Sequence, residues 1–314
     1  MTYFLIRRTI GFIATLIAVS IVVFAVMNIL PGDPALTILG LEATDEALAA
    51  LREDLGLNDP LLSRYFGWVF GALTGDLGLS HSFRVPVSEL ITERVPMTVS
   101  LAVAGIIVTL VIALSLGIYA AANHGKIGDW LTMFISQLGI AVPAFWLSIL
   151  LVLLFAVNLR WLPPGGFPGW SDPVAAMRSL VLPTVALALV QSAVLARVTR
   201  SSALEVMRQD FTRTARASGL SHRRILWRHV LPNALVPIVT IVGMQFAALV
   251  TGTIVIENVF YLPGLGRLIF QSIANRDLPT VQALVMLFAV IVVTANFIVD
   301  LLYVLIDPRL KDRA

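Results

Sequence analysis

The chain has 314 residues, 58% of them hydrophobic and 13% charged, where a soluble domain carries about 25% charged. That composition, with a mean hydropathy of +0.90, excludes an ordinary soluble protein and predicts an all-α polytopic membrane protein. With no cysteine, disulfides, thiolate metal sites and cysteine nucleophiles are excluded together. The pI near 9.6 reflects cations that set membrane orientation and carries no argument for nucleic acid.

Apolar windows near the roughly 20 residues that cross a hydrocarbon core fall at about 9–30, 98–122, 131–157, 180–197, 233–255 and 280–305, which predicts six transmembrane helices. The first follows Arg7 and Arg8, as in a signal peptide. It is long, however, and runs into Asn28-Ile-Leu-Pro-Gly-Asp33 instead of a small-x-small cleavage site, so it reads as a retained anchor. Residues 31–97 form the largest segment between spans. Thr44 before Asp45 and Glu46 marks one helix start, and Asp59-Pro60 marks a second with Pro at the first helical position. Leu62, Tyr65, Phe66, Val69, Phe70 and Leu73 then make one apolar stripe suited to the membrane surface or to the bundle. The segment holds ten acids against four arginines. That balance admits an external partner, although an acidic face outside the membrane is more often simply solvated. The fourth window is uncharged only from Ser179 to Ala196 and has Pro183 near its start. Before it, Leu162-Pro-Pro-Gly-Gly-Phe-Pro-Gly169 is a turn-dense connection.

Between Arg197 and Arg228, eight arginines stand against two acids. Burying them in a bilayer would cost roughly 20 to 28 kcal/mol, at about 2.5 to 3.5 kcal/mol each, so the stretch lies in water. Both termini are placed in the cytoplasm by the positive-inside bias. That side then holds Arg7, Arg8, Lys126, the eight loop arginines, Arg309, Lys311 and Arg313, which make 14 of the 22 basic residues. Asp210 is an N-cap candidate, Phe211 to Ser218 fill two turns, and Gly219 suits a left-handed C-terminal position. Ser221 can cap a second helix through Val230, closed by Pro232. Ala215, Ala217 and Ser218 are small enough to let the first helix seat in a groove of another protein. Arg213, Arg216, Arg223 and Arg224 would reach carboxylates at its rim. A plain positive-inside loop of helical character is the other reading.

Chemistry is sparse. The sequence has no phosphate-binding loop, His-Glu-x-x-His or Gly-x-Ser-x-Gly, so no catalytic, cofactor or metal residues are assigned and no enzyme is expected. His81, His124, His222 and His229 lack metal-ligand spacing. Apart from Arg197 at the very end of the fourth, no window holds an Asp, Glu, Lys, Arg or His before Asp300, which argues against an ion-coupled transporter. The spans also lack a Ser/His or Asp/Asp pair for an intramembrane hydrolase. Their amides, Gln137, Gln191, Gln245 and Asn296, are candidate pathway residues, with helix–helix contacts the commoner role.

Thr214-Ala-Arg-Ala-Ser-Gly219, with Ile225 and Leu231-Pro232, resembles the EAA loop of permease subunits of bacterial ABC importers. Thr214 or Ala215 stands where most members carry an acid. Several collinear segments resemble the dipeptide/oligopeptide/nickel branch over nearly the whole chain: Asn28-Ile-Leu-Pro-Gly-Asp-Pro34, Gly75-Asp-Leu-Gly78, Val142-Pro-Ala-Phe-Trp146, Trp161-Leu-Pro163, Glu257 to Gly266, Asn275-Arg-Asp277, Asp300-Leu-Leu-Tyr303 and Asp307-Pro-Arg309. The resemblance implies a type I ABC importer permease fold in the bacterial inner membrane. Its parts would be an N-terminal span (1–30), a periplasmic segment (31–97), a five-span core (98–306) containing coupling loop 198–231, and a cytoplasmic tail (307–314).

It further implies partners: a second, different permease, two cytoplasmic ATPases that carry ATP and Mg, and a periplasmic binding protein. That protein would deliver short peptides, with nickel or a sugar- or opine-like solute as alternatives. The ATPases would dock on Asp210, Arg213, Thr214, Ala215, Arg216, Ala217, Ser218, Gly219, Leu220, Ile225, Leu231 and Pro232. Their closure would move helix 212–222 and rock the spans. The external loop with Glu257, Phe260, Pro263, Gly264 and Gly266 is a candidate outer gate or receptor contact, Pro263, Gly264 and Gly266 setting a tight turn; a turn-rich hairpin is its plain reading. From another class, the rival is an ion-coupled secondary transporter acting alone.

Overall fold

A computed structural model of the chain describes residues 2–29, 34–40, 43–54 and 56–306. Leu30 to Asp33 of the first external motif, and the tail 307–314 with Arg309, Lys311 and Arg313, lie outside the described residues. The regular elements among the described residues are helices, and they fall into two compact units. One comprises Met1–Met97 with Pro263–Thr294, the other Thr98–Leu262 with Ala295–Ala314.

In the first unit, α1 (Thr2–Ile29) is apolar on every side, as a membrane helix should be. Then come α2 (Pro34–Leu39), α3 (Asp45–Asp54) and α4 (Leu61–Thr74). Thr44 caps α3, its Oγ1 accepting from the Ala47 amide at 3.3 Å. Helix α4 begins one residue later than expected, with Pro60 extended at the N-cap position instead of inside the first turn. Its apolar stripe divides in two. Tyr65, joined by Trp68 from outside the stripe, turns toward α1, where the Tyr65 hydroxyl meets Ser20 Oγ at 2.8 Å and its ring lies edge-on to Phe24. Leu62, Phe66, Phe70 and Leu73 remain exposed.

Helix α12 (Leu265–Ala274) was not anticipated from the sequence, although Leu265, Leu268, Ile269 and Ser272 are buried at helical spacing. Asp277, fully buried, then joins the start of α13 (Leu278–Ile306) to the turn at 80–82. Its carboxylate accepts from the Ser80 hydroxyl, from the His81 and Ser82 amides at 3.1 and 3.4 Å, and from Thr280 Oγ1 at 2.9 Å. A buried carboxylate persists only with this many donors.

The second unit is built around α8 (Pro173–Met207), which extends well beyond the 180–197 window at both ends. Asp172 sets its start, accepting from the Val174 and Ala175 amides at 3.1 and 3.0 Å. Small residues on α8, including Ala186, Ala188, Ala193, Ala196 and Ala203, are buried, the composition expected where helices must approach without help from the hydrophobic effect. Helix α5 (Val87–Ala122) approaches so closely that a methyl group on Gly117 would lie 2.5 Å from Thr199 Cβ. Gly117→Val should therefore destabilise the folded chain by about 1–3 kcal/mol, read as a lower unfolding temperature in detergent.

The third window is bent. It is not a straight span: α6 (Ile127–Ala141) and α7 (Ala144–Leu151), the latter continued by wider π turns over Val152–Asn158, meet at a 105° bend. Val142 is extended because the following Pro143 ring disfavours helical geometry there, and Pro143 has no amide to carry the ladder across. Among the described residues, five helices are long and apolar enough to cross a membrane, and the bent pair taken as one span makes six.

Candidate functional site: the arginine-rich loop

Helix α9 spans Asp210–Ala217, so Gln209 holds the N-cap position and Asp210 opens the first turn, one residue off the expected cap. The far end matches the expectation in detail. Gly219 has φ +80°, its amide donates to the Arg216 carbonyl at 3.1 Å, and the Leu220 amide donates to the Ala215 carbonyl at 3.3 Å. These two bonds form a Schellman closure, in which a left-handed residue satisfies the last carbonyls of a helix. Leu220 completes it by packing against the core.

After that turn the chain becomes helical again. Ser221 caps α10 (His222–Ile225), its hydroxyl accepting from the Arg224 amide at 3.4 Å. The helix widens through π turns at Leu226–Val230 and enters α11 (Leu231–Val259) without a break. Here the expectation for Pro232 is corrected: it closes nothing, because it lies in the first turn of α11. The π turns widen the helix just ahead of it.

Burial separates the roles of the loop residues. Thr212, Ala215, Ile225, Leu226 and Val230 point inward, Thr212 Oγ1 donating to the Val206 carbonyl at 2.9 Å. Ala215 is thus an anchor, which corrects its assignment to the presented face. Arg213, Thr214, Arg216, Ala217, Ser218, Arg223 and Arg224 are exposed. Among the described residues, Arg216, Arg223, Arg224 and Arg228 have no carboxylate partner, and Arg213 has only exposed Asp210 at 3.5 Å, a pair worth little in water. Phe211 and Trp227 are exposed on the same loop, at 41% and 54%, and sequence reasoning passed over both. Large aromatics beside unpaired arginines are the usual anchors of protein interfaces.

Just behind the loop, α8 is clamped to α6. Arg200 reaches Asp129 with both arms, Nε to Oδ1 at 2.5 Å and Nη2 to Oδ2 at 2.7 Å, while the Gly125 amide donates to Oδ2 at 3.1 Å. Arg197 donates to Gln137 at 3.3 Å. These two arginines, counted with the loop, instead secure the helix that leads into it.

The other predicted residues separate. Gln245 Nε2 donates to the Gln191 carbonyl at 3.2 Å, a bond between α11 and α8, whereas Gln137 and Asn296 are exposed. The receptor-contact assignment of Glu257 and Phe260 is corrected, since both are fully buried. Thr98 Oγ1 donates to Glu257 Oε1 at 2.7 Å, and the Phe260 carbonyl accepts from the Gly166 amide at 2.8 Å. They hold the end of α11 against the 162–169 connection, where Gly165 passes too close to Phe260 for any side chain. Gly264 and Gly266 are buried, with Gly264 at the N-cap of α12 and Gly266 within it, which leaves Pro263 exposed; no tight turn forms at Gly266.

Among the described residues the chain is helical, with several helices apolar and long enough to cross a membrane and a short arginine-rich helix anchored between two of them. Residues 113–312 match the family described as binding-protein-dependent transport system inner membrane component, and residues 1–102 match its N-terminal counterpart. The chain belongs to this family of ABC importer permeases. It is 42% identical over 312 residues, 99% of both chains, to a Brucella abortus (strain 2308) protein described as a peptide transport system permease protein. It is 39% identical over 311 residues, again 99% of both, to the glutathione transport system permease protein GsiC of Escherichia coli (strain K12). Among solved structures, a chain of the inward-facing MetNI methionine ABC transporter superposes with a TM-score of 0.56 at 18% identity, covering 69% of this chain and 96% of that one. That likeness supports the type I permease fold.

Proposed function

We propose that this permease carries short peptides, glutathione-like tripeptides included, across the inner membrane. It would do so as half of a pathway completed by a second permease. The full-length likeness to peptide and glutathione permeases supports the substrate class. The coupling role rests on one observation: α9 ends in a closed Schellman turn and exposes Arg213, Arg216, Ala217 and Ser218 while Thr212 and Ala215 fix it to the core. A helix held this way transmits displacement and does not fray.

In this reading, two cytoplasmic ATPases bind ATP and Mg and press on α9, and the spans rock in response. A periplasmic binding protein supplies the solute. Pro263, exposed together with Asn258 and Tyr261 in the same stretch, is the one of the five outer-loop candidates left to meet that protein. Gln245 serves helix packing through the Gln191 main-chain carbonyl, whereas the side chains of Gln137, Gln191 and Asn296 remain the pathway candidates.

Two measurements test this. Purification from native membranes in mild detergent should bring down P-loop ATPases and a second permease; a chain that purifies alone and transports without ATP contradicts the reading. For orientation, a Leu220→Cys variant should react with an impermeant maleimide only in inside-out vesicles. Labelling from the outside would reverse the topology.

A further inference from the structure

The first unit contains a cavity of about 870 Å3 that the coupling account does not use. Its size falls within the range of small-molecule sites. The lining comes from four separate stretches of chain and includes Asn28, Arg64, Asp76, His81, Arg84 and Gln282. Among the described residues, neither Arg64 nor Arg84 has a carboxylate partner. His81 Nδ1 and Gln282 Nε2 are buried without a hydrogen-bond partner among the described residues. Two buried side-chain nitrogens therefore line one concave space without partners, which is costly unless something there uses them, and two guanidinium groups free of carboxylates line it with them.

The acid in the lining is already engaged, Asp76 Oδ1 accepting from the Gly78 amide at 3.0 Å. Burial, only partly offset by nearby Asp277, pushes the His81 pKa below the ordinary imidazole value. The ring is then neutral at pH 7 and can donate from one nitrogen. Two fixed cations and one carboxylate leave the lining with a single net positive charge. That balance suits one carboxylate better than a doubly charged phosphate, which Asp76 would repel. The frame is firm: Asp277 grips the 80–82 turn, and the Arg84 amide donates to the Ser80 carbonyl at 3.0 Å. Arg84 itself is held at φ +57°, a conformation with a cost for a residue bearing a side chain.

We propose that this cavity binds the carboxylate of a small solute directly on the permease, with Arg64 and Arg84 taking the charge and Gln282 and His81 donating the flanking hydrogen bonds. The site goes beyond the coupling role and requires no ATP. Its failure would leave the transport reading standing.

Equilibrium dialysis tests it on the assembled transporter in nanodiscs, without nucleotide or external binding protein. The probes are a labelled tripeptide mixture with free C-termini and the same mixture amidated. Free-acid peptides should bind saturably and amidated ones about tenfold more weakly, the usual worth of a charged hydrogen bond. Arg64→Ala and Arg84→Ala should each cost a similar factor. Gln282→Glu, nearly isosteric but anionic, should abolish binding, with the unfolding temperature in detergent reporting whether the fold is kept, while Arg84→Lys should retain more binding than Arg84→Ala. Equal binding of acid and amide, no effect of either arginine, or competition by phosphate matching that by acetate would overturn the assignment. No saturable binding of either mixture would overturn it too. If the external binding protein then lost affinity in both arginine variants, the carboxylate would belong to that partner.

Discussion

Gly219→Val is expected to leave the chain inserted while uptake falls at least about tenfold and ATP hydrolysis loses its dependence on delivered substrate. The reason is conformational. Gly219 has φ +80° and open space around its missing side chain, so nothing clashes. A left-handed L-residue costs about 1–2 kcal/mol, and β-branching makes this worse. The chain would relieve the strain by opening the Schellman turn, releasing the Ala215 and Arg216 carbonyls and the end of α9. Gly219→Asn, which tolerates this conformation, should keep most of the uptake. That rescue separates a backbone requirement from a general loss of folding. If the valine variant retains both uptake and substrate-stimulated hydrolysis in proteoliposomes, α9 is not the coupling element.

Asp129→Ala is the second large effect. The carboxylate is 5% exposed and receives both arms of Arg200, the Gly125 amide and, at 3.0 Å, His124 Nδ1. Removing it leaves a mostly buried guanidinium without its counter-charge, at a cost of about 3 kcal/mol. This is the low end for a broken buried pair, since the Arg200 side chain keeps 21% of its exposure. The unfolding temperature in detergent should drop by several degrees. Adding Arg200→Met should recover much of the loss, because the penalty lies in the stranded charge. Additive losses in the double variant would show that the two side chains do not act as a pair.

How much of this was legible in the sequence depended on how far apart the determinants lie. Local chemistry read well: Thr44 capping α3, Ser221 capping α10 and Gly219 ending α9 each depend on neighbours within a turn or two. Hydropathy located the spans but not their shapes. It cannot register the 105° bend at Val142-Pro143, although the dipeptide itself was the available signal. It also truncated α8, because the helix continues past its apolar window on residues such as Arg200 and Glu205. Glu257 was misread for a different reason. An acid in a loop looks solvent-facing, and its burial depends on Thr98, 159 positions away. The cavity around Arg64, Arg84 and Gln282 has the same character, assembled from distant segments that no spacing rule connects.

The central claim is that α9 is where the ATPases grip. The sequence contains no cysteine, so Ser218→Cys introduces a single thiol at an exposed position beside Gly219. A photoactivatable maleimide attached there, in membranes containing the assembled transporter, should cross-link this chain to a P-loop ATPase subunit, with a yield that changes when ATP is added. A probe at residue 218 that captures no ATPase, or that can be attached only from the outside, would contradict the account.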